Sequence, residues 1–288
     1  MVFIIKIFSD FCDSTTCKTN FEKTYNLNEN ENYGMNKEFY ITDKLIYTHA
    51  IILNKAMPTL IKIPKENVIG LACEPYELLK INKLFIIYAQ INIGKYFIGD
   101  KKDLPEPFTE HFAYMWHSNP GRSLTHKPKI MSICVSEKNY APGHKYRHDL
   151  ITEIINHNLP VHIYGRGANQ YKEKSEYVMG EFKDVEPYEE YMFTIAIENY
   201  INNDYISEKV LSPVMHNCKP LYLGARNISN YIDKNDVILI NRNLSNDIAV
   251  IKDVLSNPTK HYNTTYNSKN IDNINLFNKL EKIFTPNK

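Results

Sequence analysis

The chain has 288 residues, 43% of them hydrophobic and 23% charged, and a net charge of +1. That length allows one large domain or two of ordinary size, and the composition can bury a sizeable core, which excludes a disordered chain. The near-neutral balance gives no basic field for nucleic acid, since the lysine clusters are diluted by acids or prolines. The five cysteines, Cys12, Cys17, Cys73, Cys134 and Cys218, are odd in number and spread along the chain. Reduced thiols of an intracellular protein are therefore expected rather than a disulfide framework. The opening MVFIIKIFSDF is apolar over too short a run for a signal peptide or a membrane span, and nothing later approaches a spanning length. A cytoplasmic protein with no membrane span is the expectation.

In chain order, FIIKIF reads as a strand, the polar stretch near Asn26–Asn36 as a loop, and THAIILNKA and NVIGLACEP as short apolar strands. NKLFIIYAQI has mixed apolar spacing and predicts a helix, with KYFIGD a strand after it. HSNPGRSLTHKPK, polar and rich in Pro and Gly, is the best linker candidate. Beyond it the alternation is clean. IMSICVS, PVHIYG, MFTIAIEN, KPLYLG and DVILI predict strands, and YRHDLITEIINHN, SEKVLSPVMHN and SNDIAVIKDVLS predict the helices between and after them. Short apolar runs alternating with amphipathic helices argue for parallel, doubly wound α/β sheets. NINLFNKLEKIF predicts a last helix that could pack back on the N-terminal part. The predicted architecture is two α/β domains, 1–120 and 121–288, with a cleft between them.

In an open α/β sheet, ligands bind beyond the carboxyl ends of the strands. The run IAIEN ends on Glu198 and Asn199, and Ser207 is a plausible N-cap that puts Glu208 and Lys209 in the first turn of the next helix. Free N–H groups and a lysine at a helix start suit phosphate, and a carboxylate beside them suits ribose hydroxyls. Together they fit a nucleotide carrying a diphosphate. The plain alternative is dipole compensation by Glu208 with a solvated Lys209.

The stretch FTIAIENYINNDYISEKVLSPVMHNCKPLYLG resembles the donor-site signature of the family 10 glycosyltransferases, the α-1,3/1,4-fucosyltransferases. The resemblance is close over Tyr188–Tyr231, moderate from Lys129 to Gly167 and weak before the linker. It implies the GT-B fold, two Rossmann-like domains facing a central cleft, and GDP-fucose as nucleotide-sugar donor. It implies that Lys209 and Arg147 hold the pyrophosphate, that Glu208 takes the ribose hydroxyls, and that Asn199 and Tyr205 line the phosphate and sugar end. Glu198 would orient the strand end or touch the fucose. With two fixed cations to offset charge on the departing GDP, no metal or other cofactor is required. The lack of an anchor resembles the bacterial and large-virus members, which implies a bacterial cytoplasm or a host cytosol. The chain departs from the pattern at Tyr200, where Ser is usual, at Ser207 in place of Thr, and at Pro213 inside the predicted helix. Asn217-Cys218-Lys219 also stands where a Gly usually precedes the next strand.

An inverting transfer needs a carboxylate to take the proton of the acceptor hydroxyl. The family places it after a strand of the N-terminal domain, where VIGLACEPYELL offers Glu74; Glu77, three residues on, is the rival. A carboxylate at a strand end in a cleft is partly desolvated, which raises its pKa toward use as a base. His144 and His148 have the spacing of a metal pair, but no third ligand is apparent, and Asn202-Asn203-Asp204 has too few carboxylates for a metal. Gly165 and Gly167 fit a strand-to-loop turn near the guanine. The implied activity is transfer of L-fucose to a hydroxyl of a glycan acceptor with inversion. The alternatives are another GDP-sugar on the same fold, or a non-catalytic nucleotide- or carbohydrate-binding protein. Acceptor choice would rest with N-terminal loops such as Asn26–Lys37.

Overall fold

The computed structural model describes residues 3–24, 39–117, 126–183, 185–262 and 267–285. The loops expected at Asn26–Asn36 and Asn26–Lys37, and residues 118–125 of the expected linker, lie outside the described residues. The chain divides into two compact units. Unit 1 comprises Met1–Asn119, Asn203–Ser207 and Asn275–Lys288, and unit 2 comprises Pro120–Asn202 and Glu208–Ile274.

Unit 1 is built on a six-stranded parallel sheet. In chain order its elements are β1 (Phe3–Ser9), α1 (Ser14–Thr24), β2 (Phe39–Thr42), β3 (His49–Leu53), β4 (Val68–Leu71), α2 (Tyr76–Leu79), α3 (Lys83–Asn92), β5 (Lys95–Ile98) and β6 (Phe108–Glu110). The strand order is β2-β1-β3-β4-β5-β6. Alternation sorts the strand residues between two cores. Ile51, Leu53, Ile69 and Leu71 pack with Phe21 of α1 and with Leu276 and Phe277 from the C-terminal segment. Ala50, Ile52 and Val68 pack with Phe85 and Ala89 of α3. Both faces are covered, which is why these strands read as continuous apolar runs.

Unit 2 repeats the plan with β7 (Lys129–Cys134), α4 (Pro142–Asn156), β8 (His162–Tyr164), β9 (Val178–Gly180), α5 (Glu186–Glu189), β10 (Tyr191–Ile197), α6 (Glu208–Met215), β11 (Lys219–Leu223), β12 (Ile238–Leu239), α7 (Leu244–Ser256), α8 (Pro258–His261) and α9 (Ser268–Ile274). The strand order is β12-β11-β10-β7-β8-β9, with every pair parallel. Leu150, Ile151 and Ile154 of α4 and Ile248 and Ile251 of α7 share a core with Ile133, Ile195 and Leu221 of the sheet. The order reverses between β7 and β10, and that switch point is where a doubly wound sheet opens a crevice.

Several elements differ from the sequence-based expectation. α4 begins at Pro142, four residues before the expected Tyr146, because proline suits the first helical position and has no N–H to leave unpaired. The expected single helix over Asn273–Phe284 is broken at Asn275, whose side chain accepts from Phe277 N and whose backbone bridges Met115. Only Leu280–Phe284, α10, follows as α-helix, and its Leu280 and Phe284 join the unit 1 core. α6 runs through Pro213 and stops two residues later at Met215. Asn217, in the Asn217-Cys218-Lys219 stretch that lacks the family's usual Gly, adopts φ 51°, a left-handed conformation that asparagine tolerates better than most residues. DVILI contributes only a two-residue strand.

Candidate donor-nucleotide site

The carboxyl end of β10 collects most of the residues singled out in the sequence. Gly143, second residue of α4, donates its N–H to Asn199 O at 3.0 Å. A Cβ on Gly143 would stand 1.8 Å from Glu198 O, so only glycine lets the helix start lie against the strand end. Arg147, one turn into α4 and 5% exposed, points its guanidinium back to the carbonyl of Ile197, the last residue of β10. Its placement is therefore fixed by the strand it serves.

Lys209 gathers the carboxylates. Its Nζ lies 2.9 Å from Glu208 Oε1 and 3.9 Å from Glu198 Oε2. The Glu198 side chain is fully buried, that of Glu208 is half exposed, and that of Lys209 is 23% exposed. Burial works to lower the Lys209 pKa, but the negative charge of Glu208 and then of Glu198 outweighs it and holds the ammonium above its ordinary value. Lys209 is thus a firmly protonated cation within the electrostatic reach of Arg147. Glu198 also engages the buried Tyr222 hydroxyl, which in turn accepts from Ala225 N at 2.8 Å. A carboxylate tied to a lysine and a tyrosine is built to hold its neighbours, not to move a proton.

A cavity of about 260 Å³ opens at this edge, with Pro142, Gly143, Glu198, Asn199, Arg226 and Arg242 in its wall. Tyr200, one of the departures from the family pattern, also borders it. Asn199 is 7% exposed, and its Oδ1 is buried without a hydrogen-bond partner. Arg226 and Arg242 had no motif to announce them. Each stands three residues past the end of a strand, β11 or β12, a little farther along its loop than Glu198 and Asn199, which directly follow β10.

The remaining candidates fall elsewhere. Tyr205 is 3% exposed and belongs to unit 1 with the rest of Asn203–Ser207. There the chain runs so close to Gly99 that a Cβ on that glycine would meet Tyr205 N at 2.5 Å. Glu74 follows β4 in unit 1 and is half-buried, just before Pro75 and the short α2. No local sequence pattern announces what holds it. Asn54, in a left-handed conformation after β3, accepts from Cys73 N at 2.9 Å and donates to Asp10 Oδ1 at 3.3 Å. Its backbone carbonyl accepts from Tyr96 at 2.6 Å. This buried junction fixes the residue that precedes Glu74. Glu77, the rival base, pairs with Lys102 at 3.3 Å.

His144 lies in the first turn of α4 and not in a loop, and its Nδ1 accepts from Ala141 N at 3.3 Å. Burial, reinforced by Arg147 and Lys209, pulls its pKa down to about 4. His148 Nδ1 sits 2.8 Å from the Tyr171 hydroxyl. Among the described residues no group of three His, Cys, Asp or Glu side chains could hold a metal ion. None of the described helices is long and apolar enough to cross a membrane.

Residues 124–282, more than half of the chain, match the model of glycosyltransferase family 10 (fucosyltransferase), C-terminal part. No curated protein matches the sequence. Among solved structures, the chain is similar to an α1,3-fucosyltransferase with GDP at a TM-score of 0.54 and 11% identity, over 100% of this chain and 91% of that one. It is also similar to Anabaena Alr3699/HepE in complex with UDP and glucose, at 0.55 and 7%, over 100% of this chain and 99% of that one. TarM matches at 0.53 and 13%, over 82% of this chain and 55% of its own. These likenesses establish the GT-B glycosyltransferase fold, and the family match establishes membership: the chain belongs to glycosyltransferase family 10, the fucosyltransferases.

Proposed function

We propose that the chain transfers L-fucose from GDP-fucose to a hydroxyl of a glycan acceptor, with inversion. The observation that carries this reading is the convergence of Arg147, Glu198, Glu208 and Lys209 on the carboxyl end of β10, in a chain of family 10. A structure of an α1,3-fucosyltransferase with GDP-fucose is among those with the same fold. In this account Arg147 and Lys209 hold the diphosphate, Glu208 takes the ribose hydroxyls, and Asn199 and Tyr205 line the phosphate and sugar end. Glu198 keeps Lys209 in place. No metal is required, because two fixed cations meet the charge that builds on the leaving group.

Glu74 serves as general base. The acceptor oxygen forms its bond to the fucose anomeric carbon as its proton passes to the Glu74 carboxylate. The bond from that carbon to the phosphate oxygen breaks, and its electron pair leaves with GDP. Attack from the face opposite GDP gives an α-linked product.

The test is Glu74→Gln. It should leave GDP-fucose affinity within about twofold and lower transfer across a glycan panel by roughly 100-fold or more, the usual worth of a general base. Equal loss of donor binding and transfer would contradict this division of roles.

A further inference from the structure

α3 is apolar on two sides. Its inner side sends Phe85 and Ala89 into the unit 1 core. Its outer side carries Leu84, Ile87 and Ile91, spaced to form one stripe, and the only exposed polar residues of the helix are Lys83 and Gln90. Leu84 is 63% exposed and Ile91 67%, with Ile87 nearly half exposed. A helix that is apolar all round is normally covered on every side. The stripe also has company. Tyr88 Oη donates to Pro58 O at 2.7 Å, which seats the loop after β3 beside the helix. Leu60 and Ile63 of that loop pack inward, while Met57 and Ile61 stay out, Ile61 at 72% exposed. Five large apolar side chains thus gather about α3, where a lone one would need no explanation.

Exposed lysines rim them. Lys80 and Lys83 stand at the start of α3, and Lys62 follows Ile61. Lys65 lies by the far end of the helix, where a Cβ on Gly94 would come within 2.6 Å of Lys65 O. The only acid in these stretches is Glu66, and Glu77, the acid nearest in sequence to Lys80, is paired with Lys102 at 3.3 Å.

Charge and size select the occupant. A second copy docked through the same face would set lysines against lysines. A ten-residue helix, about 15 Å long, is also a narrow seam beside the roughly 800 Å² per partner that a stable dimer buries. Phe39 and Trp116, close in sequence to the undescribed stretches 25–38 and 118–125, belong to the other core of unit 1, which points away from a cover supplied by the chain itself. An anionic lipid surface suits both features, because apolar side chains can enter the boundary between headgroups and acyl chains while lysines meet the phosphates.

We propose that unit 1 docks on an anionic lipid surface through the outer side of α3, with Leu84, Ile87 and Ile91 inserted and Lys80 and Lys83 on the headgroups. The helix lies on that surface and does not cross it. This docking does not depend on the donor reading.

Flotation of the full chain with vesicles of phosphatidylcholine alone, or with about one third phosphatidylglycerol, tests it. The protein should bind the anionic vesicles at least about tenfold more tightly than the neutral ones, and should come off as salt is raised. The triple variant Leu84→Ser, Ile87→Ser, Ile91→Ser and the double variant Lys80→Glu, Lys83→Glu should each lose at least about tenfold in binding. All five side chains are exposed, so the Tm should be kept. No binding by the wild type, equal binding to both vesicles, or unchanged binding by either folded variant overturns the proposal. So does a dimer, seen by sedimentation, that the triple variant dissolves, because the face would then be a contact between copies. Should the triple variant not fold, the lysine variant decides alone.

Discussion

Lys209→Ala removes a cation with two separable roles. In the free protein it compensates Glu198, whose side chain is fully buried, across 3.9 Å. Removing one partner of a wholly desolvated ion pair costs about 3–5 kcal/mol. Here the lysine is 23% exposed, and the Tyr222 hydroxyl still engages the carboxylate, so about 1–2 kcal/mol is the expected loss, or roughly 2–8 °C in Tm. With nucleotide bound, the same ammonium makes a charged hydrogen bond to diphosphate, worth about 1.5–3 kcal/mol, or roughly 10- to 150-fold in Kd. Adding Glu198→Gln separates the roles, since it removes the charge left behind. Thermal melts and GDP titrations of both single variants and the double variant complete the cycle. The double variant should regain most of the lost Tm and none of the lost GDP affinity. If the second substitution restores GDP affinity together with stability, Lys209 acts only by neutralising Glu198, and the diphosphate contact assigned to it is wrong.

Other outcomes follow from the same geometry. Gly143→Ala drives a methyl group to 1.8 Å from Glu198 O, so it should destabilise unit 2 by at least about 1–3 kcal/mol and weaken GDP binding at 25 °C, read by melt and titration. Asn54→Ala leaves Cys73 N and Asp10 without their shared partner. It should cost about 1–3 kcal/mol and lower kcat with little change in GDP affinity, since it touches only the support of Glu74. His49, 4% exposed and packed at 4.7 and 4.6 Å from the Phe3 and Phe284 rings, is pulled by burial from 6.5 to about 4. It stays neutral when folded and takes a proton when unfolded. Stability is therefore full above about pH 6.5 and falls as pH drops toward 4, by on the order of 3 kcal/mol. His49→Phe should flatten that part of the melting profile, and an unchanged slope would remove His49 as its source.

The second half of the fold was legible because its strands are apolar runs bounded by turn residues and its helices carry a clean apolar stripe. The first half was less so. α1 offers little periodicity and buries only Cys17, Lys18 and Phe21, and β2 has four residues. The break at Asn275 was unreadable, since a helical pattern runs straight across it. What stops the helix is a side-chain cap and a bridge to Met115, 160 residues earlier in the chain. In the site, strand ends and a motif marked Glu198, Asn199, Glu208 and Lys209. Arg226 and Arg242 stand in the loops after neighbouring strands, where nothing local distinguishes an arginine that lines a site from a solvated one. Only the cavity between them does so. Asn54 was hidden for a similar reason, as its partners lie 44 and 19 residues away.

Donor recognition is the central property to measure. Calorimetric titration of the wild-type chain with GDP, GDP-fucose, GDP-mannose and UDP-glucose should show tight binding of the guanine nucleotides, strongest for GDP-fucose, and none of UDP-glucose. Binding of none of the four, or of UDP-glucose in preference, would contradict it.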